Sequence, residues 1–246
     1  MTGAARGIGA AEAIRLAQEG ANVAVVDLSA EAARETVEAV EAAGAEALAV
    51  ACDVSSAQQV EAAFEEIVNR FGRIDILVNN AGVLRDNLAF KMSEEDWDTV
   101  LDVHLKGSFL CSKAAQKYMV EQEYGKIVMT SSIVALGNRG QANYSSAKAG
   151  LQALARTLAL ELGRFNITVN AVAPGWIETE MTKEAAERVG MSMEDMKERF
   201  AKNIPLMRFG RPEDIANVVA FLVSDDASYI SGETIYVAGG PSSSVI

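Results

Sequence analysis

The chain has 246 residues, half of them apolar, a net charge of -12 and two cysteines. It can bury one large core and no Pro- or Ser-rich linker divides it, so a single domain over 1–246 is expected, with no low-complexity tract beyond Ser242 to Ser244. The acidic balance and scattered Lys and Arg exclude a nucleic-acid partner; apolar runs too short for a bilayer and the lack of a signal-peptide core point to a soluble, cytoplasmic protein with no membrane partner.

The chain opens on Thr2-Gly3-Ala4-Ala5-Arg6-Gly7-Ile8-Gly9, followed at once by a helical pattern ending near Gly20. Glycines there let a backbone approach a pyrophosphate, and the helix N-terminus behind them offers N–H groups and positive dipole. Val23 to Val26 then reads as a strand ended by Asp27, where an acid can accept hydrogen bonds from a ribose diol. Ala30 to Ala43 reads as a helix, Ala45 to Ala51 as a strand followed by Asp53-Val54, and Ala57 to Phe71 as a helix ended by Gly72. Cys52 and Cys111 have apolar neighbours and no CxxC or His spacing, so they are expected to be buried free thiols, with no disulfide and no metal site.

Ile74 to Val78 is a strand followed by Asn79-Asn80-Ala81-Gly82, Ser93 to about Val120 a long helical region, and Lys126 to Thr130 a strand followed by Ser131-Ser132. A helix through Tyr144 to Leu162, a strand at Ile167 to Val172, a helix at Pro212 to Val223 and a strand at Thr234 to Val237 complete the pattern. Strands that are apolar throughout and separated by helices predict a doubly wound α/β fold, a parallel sheet covered on both faces. Ligands of such sheets sit beyond the carboxyl ends of the strands, so the polar residues at the strand ends line one crevice.

Tyr144-Ser145-Ser146-Ala147-Lys148 places a phenol and an ammonium four residues apart on one helix face. A lysine charge there favours the phenolate and is expected to lower the phenol pKa, making Tyr144 a general acid/base.

The TGxxxGxG turn at Thr2 to Gly9, Asn79-Asn80-Ala81-Gly82, a serine before Tyr144-x-x-x-Lys148, and Pro174-Gly175 with Thr179, in this order, closely resemble the short-chain dehydrogenase/reductases over essentially the whole chain. Gly140-Gln141-Ala142-Asn143-Tyr144, Arg85-Asp86-Asn87-Leu88 and Pro174 to Met181 look most like the bacterial 3-oxoacyl-carrier-protein reductases and their hydroxyacyl dehydrogenase relatives. The resemblance implies a Rossmann-type fold and hydride exchange between a nicotinamide cofactor and a secondary alcohol or ketone. It implies that Tyr144 protonates the carbonyl oxygen, that Ser132 hydrogen-bonds it, and that Lys148 tunes the tyrosine and binds the nicotinamide ribose. Gly3, Arg6, Gly7, Ile8 and Gly9 would hold the phosphates and adenosine, Asp27 and Leu28 the ribose, and Asp53 and Val54 the adenine. Asn80, Ala81 and Gly82, with Tyr144 and Lys148, would line the second ribose, and Pro174, Gly175, Ile177 and Thr179 would close over the nicotinamide. Asp27 stands where a 2′-phosphate would go and favours NAD(H); Arg6 could attract that phosphate and leaves NADP(H) open.

Several positions depart from the family pattern. The hydrophobic strand expected before the glycine turn is truncated to Met1-Thr2, so either the start lies downstream of the true one or the strand is lost; a disordered or displaced phosphate turn is expected without cofactor. His104 stands where the family usually carries asparagine, and is expected either to pack or to join the proton relay near neutral pH. The interval from Ser132 to Tyr144 is one residue shorter than usual: counting back from Tyr144 selects Ser131, whereas strand register selects Ser132, which is preferred. Glu123 and Phe165 occupy positions where carrier-protein reductases use arginine, which makes an acyl carrier protein a doubtful partner. The Met-rich segment between Met181 and Arg211 reads equally as a repackable substrate pocket or as a buried helix stripe.

The expected function is thus an NAD(H)-dependent oxidoreductase, with a 3-hydroxyacyl or related compound as substrate. The alternatives are an NADPH-dependent 3-oxoacyl-carrier-protein reductase, or a nucleotide-binding protein with little turnover. The helices around Asp98 to Lys117 and Tyr144 to Leu162 pair across subunits in the family, and Ala147, Ala149, Gly150, Ala153 and Ala155 permit close packing, so a homotetramer is expected.

Overall fold

The computed structural model describes residues 1–188 and 190–241, in which helices and parallel strands alternate. In chain order they are α1 (Gly7–Gln18), β1 (Val23–Asp27), α2 (Arg34–Ala42), β2 (Ala47–Ala51), α3 (Ala57–Phe71), β3 (Ile76–Asn79), α4 (Glu94–Leu101), α5 (Gly107–Gln122), β4 (Gly125–Thr130), α6 (Ala142–Leu162), β5 (Ile167–Pro174), α7 (Glu180–Arg188), α8 (Met193–Phe200), α9 (Pro212–Val223) and β6 (Thr234–Val237). The serine run at 242–244 lies outside the described residues. Helix ends follow local chemistry. Ser56 caps α3 by accepting from the Gln59 N–H, Gly72 ends it in the left-handed region at φ 79°, and Pro212 opens α9 where no N–H is needed.

β1 pairs with β2, and β3, β4, β5 and β6 pair in that order, all parallel. Thr2 joins the two sheets through a parallel bridge to Val26 and an N–H bond to the Val78 carbonyl at 3.1 Å. Beside this bridge lies a cavity of about 330 Å³ walled by Leu16, Phe64, Ile67 and Phe71. Alternate residues of β4 serve opposite faces: Ile127 and Met129 pack with Met119 and Leu151 from α5 and α6, whereas Val128 packs with Leu16, Ile215 and Leu222 from α1 and α9. This is the doubly wound α/β fold expected, with its two faces covered.

Several element bounds differ from expectation. The helix expected from Ala30 begins at Arg34, the strands expected from Ala45 and Ile74 begin at Ala47 and Ile76, and the strand expected to end at Val172 runs to Pro174. The long helical region after Ser93 is broken by a π-helical turn at Asp102–Lys106, an inserted residue that periodicity does not reveal. Among the described residues, no helix is long and apolar enough to cross a membrane.

Candidate active site

The glycine turn sits at the carboxyl edge of the sheet and is tightly held. Ala4 N–H bonds to Val26 O at 3.3 Å, Ala5 N–H to Asp27 Oδ2 at 3.0 Å, and Asn80 Nδ2 to Gly3 O at 2.9 Å. The turn is therefore ordered rather than disordered or displaced as expected, held by Thr2, Asn80 and Asp27. Gly3 has φ +62°, and a Cβ there would lie 2.6 Å from the Ala81 Cα; at Gly9 a Cβ would meet Asn80 Nδ2 and Gly3 O at 2.5 Å. The N-terminus of α1 has neither a side-chain cap nor an acid in its first turn, which leaves its N–H groups to an anion.

The other cofactor residues named from the sequence fall around this turn or behind it. Asp27 ends β1 with its second oxygen accepting from Leu28 N–H at 2.8 Å, and Leu28 is exposed. Arg6 is exposed and pairs with Glu184 at 3.8 Å. Thr179 approaches Gly7 from the far side, so the segment after Pro174 reaches over the turn. Asp53 accepts from Ser55 N–H and Oγ, while Val54 is buried against Gly107. Ile177 is 5 % exposed and packs into the core with Val172 and Ile215, so only its main chain can face a ligand. A Cβ on Gly175 would strike Ala238, and one on Gly82 would strike the His104 ring. These residues fit a dinucleotide: a cradle that only glycine permits, a free helix N-terminus and an acid at the next strand end.

At the end of β4 the polypeptide separates two adjacent serines. Ser131 Oγ donates to Lys148 O at 2.8 Å and accepts from Gln152 Nε2 at 3.1 Å, deep in the core. Ser132 faces the opposite way, toward the Tyr144 phenol, and its Oγ accepts from Val134 N–H at 3.2 Å. Lys148, one turn along α6, is 3 % exposed; its Nζ donates to Thr130 O at 2.5 Å and lies 5.3 Å from the Tyr144 ring centroid.

Burial reverses the electrostatics expected from spacing alone. The Tyr144 phenol is pushed well above its ordinary value by desolvation, against a downward pull from the facing Ser132 hydroxyl. Burial also lowers Lys148 to about 7, with Glu12 pulling it back up. An ammonium that is itself half discharged near neutrality cannot dominate its neighbour, so the expected lowering of the phenol pKa is corrected.

His104 is likewise corrected. It lies on the π-helical turn at 1 % exposure, its Nε2 is 2.9 Å from both Val83 N and Val83 O, and its ring stands edge-on to Tyr144 at 5.1 Å. Burial, reinforced by Lys148, lowers its pKa to about 3, so the imidazole stays neutral and a relay that charges near neutral pH is excluded. Its main-chain carbonyl accepts from Ser108 Oγ at 2.6 Å.

The sequence reading missed two buried residues. Asn143 is fully buried beside Tyr144, and its role shows only in contacts to distant segments. Glu12 is fully buried on α1, its carboxylate oxygens have no hydrogen-bond partner, and burial raises its pKa to about 8. An acid on the apolar face of α1, between Gly9 and Leu16, was the available signal. Of the methionines after Thr179, Met196 is buried while Met181 and Met207 are exposed, so the segment is part stripe and part surface. The stripe packs on Trp176, which stacks with Phe200 at 5.1 Å and Phe209 at 5.5 Å.

The fold, the glycine turn and the Ser-Tyr-Lys grouping are those of the short-chain dehydrogenase/reductases, and the chain belongs to that family: a family profile described as enoyl-(acyl carrier protein) reductase matches residues 3–242. Among its relatives, the short-chain reductase protein NovJ of Streptomyces niveus is 48% identical over 240 residues, covering 98% of this chain and 92% of the relative. The 3-oxoacyl-[acyl-carrier-protein] reductase FabG of Staphylococcus aureus is 48% identical over 242 residues, covering 98% of this chain and 96% of the relative. Among solved structures, levodione reductase superposes with a TM-score of 0.94 at 38% identity, over 98% of this chain and 96% of that one. NAD+-bound xylitol dehydrogenase does so with 0.93 at 34% identity, over 97% and 96%. The chain is an oxidoreductase of CH–OH groups, within the part of the family close to the 3-oxoacyl-carrier-protein reductases.

Proposed function

We propose that this enzyme interconverts a secondary alcohol and a ketone with NAD(H), and that its substrate is a 3-hydroxyacyl or 3-oxoacyl compound. The observation that carries this reading is the Tyr144 phenol, faced by Ser132 and with Lys148 Nζ 5.3 Å from its ring centroid, at the same sheet edge as the glycine turn. A bound nicotinamide supplies or accepts the hydride. Gly3, Arg6, Gly7, Ile8 and Gly9 hold its phosphates, Asp27 and Leu28 the adenosine ribose, Asp53 and Val54 the adenine, Asn80, Ala81 and Gly82 with Tyr144 and Lys148 the second ribose, and Pro174, Gly175, Ile177 and Thr179 the nicotinamide side. Ser132 Oγ orients the substrate oxygen, and Tyr144 Oη gives that oxygen its proton in reduction or removes it in oxidation. A phenol raised by burial holds its proton at neutral pH, which suits reduction.

Asp27 supports NAD(H), because its carboxylate would face the 2′-phosphate of NADP(H) at close range. The NADPH-dependent 3-oxoacyl-carrier-protein reductase is the second reading, and the relationship to the Staphylococcus aureus enzyme favours it. Against an acidic carrier stand exposed Glu123 and the partly buried Phe165, although the exposed Arg164 guanidinium lies over the Phe165 ring at 4.6 Å. A nucleotide-binding protein with little turnover is disfavoured by the complete Ser132, Tyr144 and Lys148 set.

A cytoplasmic homotetramer completes the proposal. Trp97, Phe109 and Leu160 expose apolar surface on α4, α5 and α6. The small residues expected at that interface do not all face outward: Ala147 and Ala155 are buried, whereas Ala153 is exposed. Initial rates in both directions with NAD(H) and NADP(H), on small ketones, a 3-oxoacyl-CoA and a 3-oxoacyl carrier protein, test the reading. Turnover of the CoA ester or small ketone with NAD(H) is expected; turnover confined to NADPH and the carrier thioester would replace it with the second reading.

A further inference from the structure

Tyr144 is held from two directions, and both holds end on the same short segment. The first runs through the residue before it. Asn143 is 0% exposed, its Nδ2 donates to Arg85 O at 2.9 Å and to Asp96 O at 3.2 Å, and its Oδ1 accepts the Tyr144 N–H at 2.8 Å. Both amide hydrogens and the amide oxygen are thereby used, which fixes the side-chain orientation as well as the start of α6. The second runs through His104. Its Nε2 meets the main chain of Val83 at 2.9 Å, and its ring edge stands against the Tyr144 ring at an interplanar angle of 85°. Gly82 leaves room for this, since a Cβ there would occupy the imidazole.

We propose that Asn143 and His104 are paired positioning residues for Tyr144, both acting through the Val83–Arg85 segment. This rests on the reading of Tyr144 as the proton donor and adds to it how the phenol is aimed. Asn143 holds the segment at the Arg85 carbonyl and His104 holds it at Val83, so the two fix one shared placement of the phenol. A neutral imidazole is sufficient for this role, because it works by contact and one hydrogen bond. Loss of either residue releases the segment the other leans on, and a displacement of about 1 Å in a reacting group costs on the order of a hundredfold in rate. The same segment is also clamped to the chain just before α6 by Asn87 N–H on Gly140 O at 2.9 Å and by Gln141 Nε2 on Asp86 Oδ2 at 3.0 Å. Removal of one positioning residue therefore loosens the bracket without unfolding it.

The test compares Asn143→Ala, His104→Gln and the double variant with the parent enzyme, with Tyr144→Phe as control. Glutamine keeps an amide near the place of Nε2 and can rebuild the bond to Val83, but it lacks the ring edge. The melting temperature and the dissociation constants of NADH and NADPH are measured on every variant. Each single variant is expected to lose at least tenfold in kcat, with KM and cofactor dissociation constants within about twofold of the parent. Asn143→Asp, which keeps the acceptor for Tyr144 N–H but turns an oxygen toward two carbonyls, should lose as much as Asn143→Ala. The double variant should be no more than about threefold slower than the worse single variant, because both act through one segment. Multiplicative losses, or a folded Asn143→Ala variant with parental kcat, would overturn the bracket. If Tyr144→Phe itself retained turnover, the proton-donor reading would fall instead, and the two failures are told apart by that control.

Discussion

Ser132 faces the phenol of Tyr144, while its neighbour Ser131 is tied to the main chain of Lys148 and to Gln152. Strand alternation produces the split: consecutive side chains leaving β4 point to opposite faces, so one serine reaches the crevice and the other the core. Replacing each serine by alanine should separate chemistry from stability. Ser132→Ala is expected to lose about a hundredfold in kcat, the scale of one lost donor to the reacting oxygen, with an unchanged melting temperature. Ser131→Ala should retain most of its turnover but lose about 1 kcal/mol of stability, because it removes two buried hydrogen bonds, to the Lys148 carbonyl and from the Gln152 amide, which keeps Tyr236 Oη as a partner. Steady-state rates and urea titrations on the two variants decide the assignment, and the reverse pattern would transfer the catalytic role to Ser131.

Glu12 should make stability fall as pH rises. Its pKa is about 8 in the folded chain against 4.5 in the unfolded one, so between those values the native state binds more protons than the unfolded state. The carboxyl's favourable neutral form is complete below about 4.5, is lost progressively to about 8, and above that leaves a constant penalty. Lys148 acts in the opposite sense over a different window: with a folded pKa of about 7 against 10.5, it lets stability rise with pH between those values. Glu12→Gln removes the first slope and, by withdrawing its upward pull on Lys148, lets the second begin at lower pH. Urea midpoints at pH 5 and pH 9 should show the variant gaining, relative to the parent, on the order of a few kcal/mol more at the higher pH. An equal difference at both pH values would mean that Glu12 is ionised in the native state throughout.

Much of this site was legible because it depends on local spacing. The α3 boundaries, the Tyr144 to Lys148 separation and the glycine turn follow from periodicity, helix pitch and the absence of a Cβ. What was not legible depends on elements far apart in the chain. The direction of the Tyr144 shift is set by how completely other segments enclose the phenol, and no local pattern reports that. Asn143 gains its meaning from carbonyls 58 and 47 residues away, at Arg85 and Asp96. The ordered phosphate turn was misjudged for the same reason, since it is held by Asn80, 78 and 77 residues away from Thr2 and Gly3 at the end of β3.

Cofactor choice should respond to charge at one atom pair. Asp27 bonds the N–H groups of Ala5 and Leu28, so Asp27→Asn keeps one acceptor in place while removing the negative charge from the end of β1. The ratio of kcat/KM with NAD(H) to that with NADP(H) is expected to fall at least tenfold, about 1.4 kcal/mol, mainly through improved use of the phosphorylated cofactor. A ratio unchanged by the substitution would mean that Asp27 does not face the 2′ position.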